Sequence, residues 1–98
     1  MEINIQAIKF EPTEKLQDFI HKKVGKLEKF SDEIRKVEVS LKVVKPETAM
    51  NKEVSIRTSG GTELYAEKVC DTFEEAIDNC MEALTKQVQK NKEKHQNR

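Results

Sequence analysis

The chain has 98 residues, enough for one small domain with one core. Apolar residues make up 36% and charged residues 37%, and 18 Lys+Arg balance 18 Asp+Glu. The balance excludes a globally basic nucleic-acid binder but not a locally basic one, and no run approaches the roughly 18 apolar residues of a membrane span.

Residues 2–10 alternate, with Ile3, Ile5 and Ala7 on one side and Glu2, Asn4 and Gln6 on the other, the pattern of a half-buried strand. Pro12-Thr13 interrupts it, and Thr13 is placed to cap a helix over 14–30. On that helix Leu16, Phe19, Ile20, Val24, Leu27 and Phe30 share one face. Ser31-Asp32 ends it. Val37, Val39, Leu41 and Val43 then alternate with Lys36, Glu38, Ser40 and Lys42 as a second strand. Lys45-Pro46 to Asn51-Lys52 reads as a loop. Val54, Ile56 and Thr58 mark a third strand, Gly60-Gly61 a tight hairpin, and Leu64 and Ala66 the inward residues of a fourth strand reaching about Val69. Asp71 or Thr72 caps a last helix whose apolar residues are Phe73, Ala76, Ile77, Cys80, Met81, Leu84 and Val88.

The order is β-α-β-β-β-α. Each strand has one apolar face and each helix one apolar stripe. The expected fold is therefore α+β: a four-stranded mixed sheet with both helices on one face and the other face polar. Residues 1–92 are expected to form the domain and 93–98 a polar, flexible C-terminal tail. The N-terminus lacks the basic-then-apolar pattern of a signal peptide, and two cysteines are too few for a disulfide framework. A reducing cytoplasm is the simplest setting for such a chain.

The zero net charge conceals a sorting along the chain. Residues 63–82 hold seven acids and one base, whereas residues 83–98 hold five bases and one acid. Complementation of the helix dipole accounts for such a gradient by itself. The angular positions add to it. Lys15, Lys22, Lys26 and Lys29 fall within about 60° of one another on a continuous helix. Lys23 projects from the apolar face, its stem on the core and its ammonium reaching water. Lys86, Lys90 and Lys94 follow one edge of the last helix. Two such rows are either ordinary solvated helix edges or a surface for nucleic-acid phosphates.

Other chemistry has little support in the sequence. His21 and His95 lack a serine or cysteine partner nearby, and no metal-ligand spacing occurs. Cys80 reads as a small core residue. Ser59-Gly60-Gly61-Thr62 joins two strands and so lacks the helix N-terminus that a phosphate loop requires. Tyr65 is the only aromatic expected on the open sheet face, too little for a platform of stacked bases. Neither catalysis, a cofactor nor a small-molecule substrate is expected.

Two segments carry a family resemblance, Val24-Gly25-Lys26-Leu27-Glu28-Lys29-Phe30 and Leu64-Tyr65-Ala66-Glu67 followed by Asp71-Thr72-Phe73-Glu74-Glu75-Ala76-Ile77-Asp78. With the basic stretch from Leu84 to Lys92, the chain resembles the short ribosome hibernation promoting factors, also called the sigma-54 modulation or ribosome-associated inhibitor family. The resemblance implies a non-enzymatic cytoplasmic protein that is monomeric off the ribosome. It implies binding to the small ribosomal subunit in the channel used by mRNA and tRNA, and silencing of idle ribosomes in stationary phase or stress. It further implies contact with 16S rRNA through Lys22, Lys23, Lys26, Lys29, Lys86, Lys90 and Lys92. Phe73 stands where the family usually has Tyr, and Ile8, Ala83, Thr85 and Gln89 stand where charged residues are common. The surface is thus less basic than the family norm. The chain is expected to lack the C-terminal dimerisation domain of the long members and the acidic extension of the inhibitor type. Two alternatives remain at this level: a double-stranded RNA module, and a protein-interaction domain using the acidic start of the last helix.

Overall fold

A computed structural model describes residues 1–30, 34–44, 50–60 and 63–96, with Phe30 and residues 91–96 described for their backbone only. The elements are β1 (Glu2–Ala7), α1 (Glu14–Val24), α2 (Leu27–Phe30), β2 (Ile34–Val43), β3 (Lys52–Gly60), β4 (Tyr65–Cys70) and α3 (Phe73–Gln96). The strands lie in the order β1-β2-β3-β4, with β1 parallel to β2 and the other two pairings antiparallel. The expected mixed sheet is therefore present, with α1 and α3 on the same face. That face holds the core. Val37, Val39, Leu41, Val54 and Ile56 of the sheet meet Ile20, Val24, Leu27, Ile77, Cys80 and Leu84 of the helical layer, and none is more than 1% exposed.

Capping follows the sequence closely. The Thr13 hydroxyl accepts the Leu16 N–H at 3.1 Å, and the Thr72 hydroxyl accepts the Glu75 N–H at 3.1 Å. Thr72 is thus the cap of α3. Asp71 has another task, its Oδ1 accepting the Met50 N–H at 2.7 Å. This bond ties the β2–β3 connection, where Met50 has a φ of 56°, to the start of α3. Phe10 and Phe73 stack with ring centroids 5.3 Å apart, joining the lead-in to α1 to the first turn of α3. The loop expected from Lys45 lies largely outside the described residues, as do Ser31 and Asp32.

Two expectations need correction. The continuous helix over 14–30 is divided at Gly25-Lys26 into α1 and α2. Through this junction the chain tightens onto bonds to the third residue back, Lys26 N–H to the Lys23 carbonyl at 3.3 Å and Lys29 N–H to the Lys26 carbonyl at 3.0 Å. Gly25 permits the tightening, because a Cβ there would lie 2.8 Å from the His21 carbonyl oxygen. The second correction concerns the Gly60-Gly61 hairpin. A two-residue turn there would place Leu64 opposite Arg57, but the structure pairs Arg57 with Tyr65. The observed register sets inward Ile56 opposite inward Ala66. A slip by one residue would oppose Ile56 with outward Tyr65 and break the alternation. Burial therefore overrides the turn signal. The buried Thr58 helps to close the wider connection, its hydroxyl accepting the Leu64 N–H at 2.8 Å and its own N–H donating to the Leu64 carbonyl at 2.9 Å. Gly61 and Thr62 lie outside the described residues.

At the far end, α3 continues to Gln96.

Candidate nucleic-acid interface

β4 is parallel to β1, being antiparallel to β3, which is antiparallel to β2. Helices that return over these strands on one sheet face share a direction, so the C-terminal parts of α1 and α3 lie toward the same end. The shared core packs the two helices together, and Lys23 Nζ, 3.4 Å from Asp78 Oδ1, marks where they meet. Beyond that crossing α1 leads through Lys26 to Lys29, while α3 leads through Glu82 to Lys86 and Lys90. At 1.5 Å per residue, Lys86 lies about 12 Å past Asp78 along the helix. Lys22, Lys26 and Lys29 thus lie toward the same end of the helical layer as Lys86 and Lys90, whereas Lys15 stands in the first turn of α1, toward the other end.

Each row is held by core residues between its lysines. Ile20 and Val24 bury one side of α1, leaving Lys22 exposed in its last turn. Fully buried Leu27 anchors α2, with exposed Lys26 and Lys29 on either side of it. Because the chain tightens at Gly25, Lys29 is set by the angle of α2 rather than by a continuous wheel from Lys15. On α3, Leu84 and Val88 are buried and Lys86 and Lys90 exposed. Gln87 Nε2 donates to the Tyr65 carbonyl at 2.9 Å and pins this stretch of α3 to β4. The backbone of Lys92 lies in α3, but its side chain is outside the described residues, as is that of Lys94.

The lysines differ in what they touch. Lys22, Lys26, Lys29 and Lys90 have no acidic partner among the described residues. Lys23 is half-buried, with its Nζ 5.5 Å from the centroid of the Phe19 ring as well as beside Asp78. Lys86 lies 3.5 Å from Glu82, one helical turn earlier. The Glu82–Lys86 spacing can be read directly from the sequence, whereas the Lys23–Asp78 contact depends on how the helices pack.

The opposite face of the sheet is different. Its charges alternate across strands: Glu2 faces Lys36, Glu38 faces Arg57, and Lys42 faces Glu53. Lys36 reaches Glu38 at 3.4 Å. The Glu53 carboxyl is raised above its usual value, first by burial and then by its contact with Glu67, with Lys42 opposing the shift. Tyr65 does not offer a bare ring, because the Arg57 guanidinium lies 5.5 Å from its centroid. This face carries no uncompensated positive field for a polyanion. Among the described residues there is also no His/Cys/Asp/Glu group suited to a metal, and no helix long and apolar enough to cross a membrane.

A family model described as sigma 54 modulation protein / S30EA ribosomal protein matches residues 3–96. The chain belongs to this family. Ribosome hibernation promoting factors of Escherichia coli K12 and Pseudomonas putida KT2440 are similar to it throughout. The first is 34% identical over 94 residues, covering 96% of each chain. The second is 32% identical over 96 residues, covering 98% of this chain and 91% of the relative. Such hibernation factors are binding proteins rather than enzymes. The family fold recurs in a ribosomal subunit interface protein from Coxiella burnetii, with a TM-score of 0.78 at 22% identity over 94% of this chain and 98% of that one. It recurs again in the N-terminal domain of Thermus thermophilus Protein Y, with a TM-score of 0.77 at 22% identity over 92% and 98%.

Proposed function

We propose that this protein is a ribosome hibernation factor that binds the small ribosomal subunit through the lysine-bearing end of its helical layer. Lys22, Lys23, Lys26, Lys29, Lys86, Lys90 and Lys92 supply the contacts to 16S rRNA phosphates. The folded body occupies the mRNA and tRNA channel and silences translation during stationary phase or stress. One observation carries the reading. Exposed lysines without acidic partners among the described residues gather at one end of two helices, in a chain that matches the hibernation factors over nearly its full length.

The mechanism needs no chemistry beyond charge and shape. Lysines at the helix ends displace counterions from the rRNA backbone, which makes affinity salt-dependent. The buried apolar stripes hold the lysines in place, and the sheet behind them supplies the bulk that excludes mRNA and tRNA. A double-stranded RNA module fits less well, because Glu74 and Glu75 are exposed at the start of α3, where such a module needs positive charge.

Single substitutions Lys26→Ala and Lys90→Ala test the reading by titration onto small subunits at several salt concentrations. Each is expected to weaken binding and to flatten the plot of log affinity against log salt by about 0.7–0.9. An unchanged slope for both variants would contradict the assignment.

A further inference from the structure

We infer that Asp78 and Glu82 of α3 set the ribosome affinity of this protein by holding Lys23 and Lys86 in ion pairs that an rRNA phosphate must displace. The inference rests on the proposed function, since it concerns the same surface.

The lysine-bearing end is bordered on one side by acids of α3. Two of these are positioned against lysines of the interface itself, Asp78 at 3.4 Å from Lys23 and Glu82 at 3.5 Å from Lys86. Glu74 and Glu75 stand one turn earlier and form no ion pair among the described residues. The acids therefore fall into two groups, one neutralising interface lysines and one not.

A lysine already neutralised by a carboxylate gains less from a phosphate than a free one. It exchanges one ionic partner for another, and the released carboxylate remains near the polyanion. The pairs are solvent-accessible, with side-chain exposures of 32% and 51% for Lys23 and Asp78 and of 71% and 68% for Lys86 and Glu82. Such pairs are weak enough for an RNA backbone to open. They lower affinity without blocking binding. The moderation is expected chiefly in the dissociation rate, where most differences in affinity appear. Lys23 has a second restraint. Its Nζ also lies 5.5 Å from the Phe19 ring centroid, so a phosphate must draw the ammonium from the ring as well as from Asp78.

The test is a set of charge variants measured on purified small subunits and, in parallel, on heparin–agarose. The resin reports available lysines whether or not the ribosome is the target. Asp78→Asn and Glu82→Gln are each expected to bind small subunits about three- to fivefold more tightly near physiological salt, the scale of one weak surface ion pair. They are expected to steepen the salt dependence, by up to about 0.9 per lysine made available, and to elute later from heparin. The gain of Asp78→Asn should vanish when combined with Lys23→Ala, and that of Glu82→Gln when combined with Lys86→Ala. Asp78→Glu should behave as wild type, and far-UV circular dichroism should show all variants folded. Glu75→Gln provides the contrast, because it removes the same charge without freeing a lysine.

An equal gain from Glu75→Gln would overturn the inference by reducing the effect to net charge. Unchanged or weakened binding by both Asp78→Asn and Glu82→Gln, with unchanged heparin elution, would overturn it as well. If wild-type protein fails to bind small subunits, the ribosome reading falls, and the heparin arm still decides whether the acids hold the lysines.

Discussion

Cys80 sits fully buried on the inner face of α3, its thiol donating to the Val54 carbonyl at 3.4 Å. Burial, the largest influence, raises the thiol from 9.0 to about 11. The unfolded chain releases this proton earlier than the folded one, so the resulting stabilisation is complete below about pH 9. It falls as pH rises toward 11, by about 2–3 kcal/mol in all. Urea unfolding at pH 8, 9.5 and 10.5 should show this decline, and Cys80→Ala should lessen it. An identical pH dependence in the variant would show that the thiol is not a source of it. The same scale shows what single residues reveal in a sequence. Cys80 falls on the apolar stripe of α3, so its burial can be read from spacing. The lysines are legible as exposed cations, but not the state of each. Lys23 meets Asp78 across two helices separated by 55 positions in sequence, a contact that no local pattern encodes.

Among the elements, helix caps and strand alternation were legible because each depends on neighbours in sequence. Thr13 and Thr72 cap as their positions imply, and the inward residues of β2 and β3 are the alternating ones. The two corrections arise where a local signal competes with packing. Leu27 falls on the same apolar stripe as Ile20 and Val24, so periodicity alone runs straight through Gly25. The missing side chain at 25 lets the backbone close onto tighter bonds instead. At the end of β3, Gly60-Gly61 suggests the shortest turn, yet the opposition of Ile56 to Ala66 requires a longer connection. Thr58 stands at that point with a fully buried side chain. Replacing Thr58 by Val preserves its shape but leaves the Leu64 N–H without the hydroxyl. The expected loss is about 1–3 kcal/mol in urea unfolding, the range for an unsatisfied buried donor. A loss below about 0.5 kcal/mol would show that the hydroxyl has little part in closing the connection.

Over the whole molecule, a chain of zero net charge presents two unlike faces. The open sheet face alternates acids and bases across its strands, while α3 separates them, acids toward its start and lysines toward its end. The acids occupy the end where a helix dipole favours negative charge and the lysines the end where it favours positive charge, so the arrangement that stabilises α3 also creates the basic end. Folding and binding thus draw on the same charge pattern. Composition conceals this, because net charge records nothing about position. The most direct measurement is sedimentation of the purified protein with ribosomes and separated subunits at low and physiological salt, alongside a Lys22→Ala/Lys26→Ala/Lys29→Ala variant. The expected result is salt-sensitive co-sedimentation with the small subunit, competed by mRNA and tRNA and lost in the triple variant. Absence of co-sedimentation at either salt, or undiminished binding by the triple variant, would contradict a ribosome interface at the helix ends.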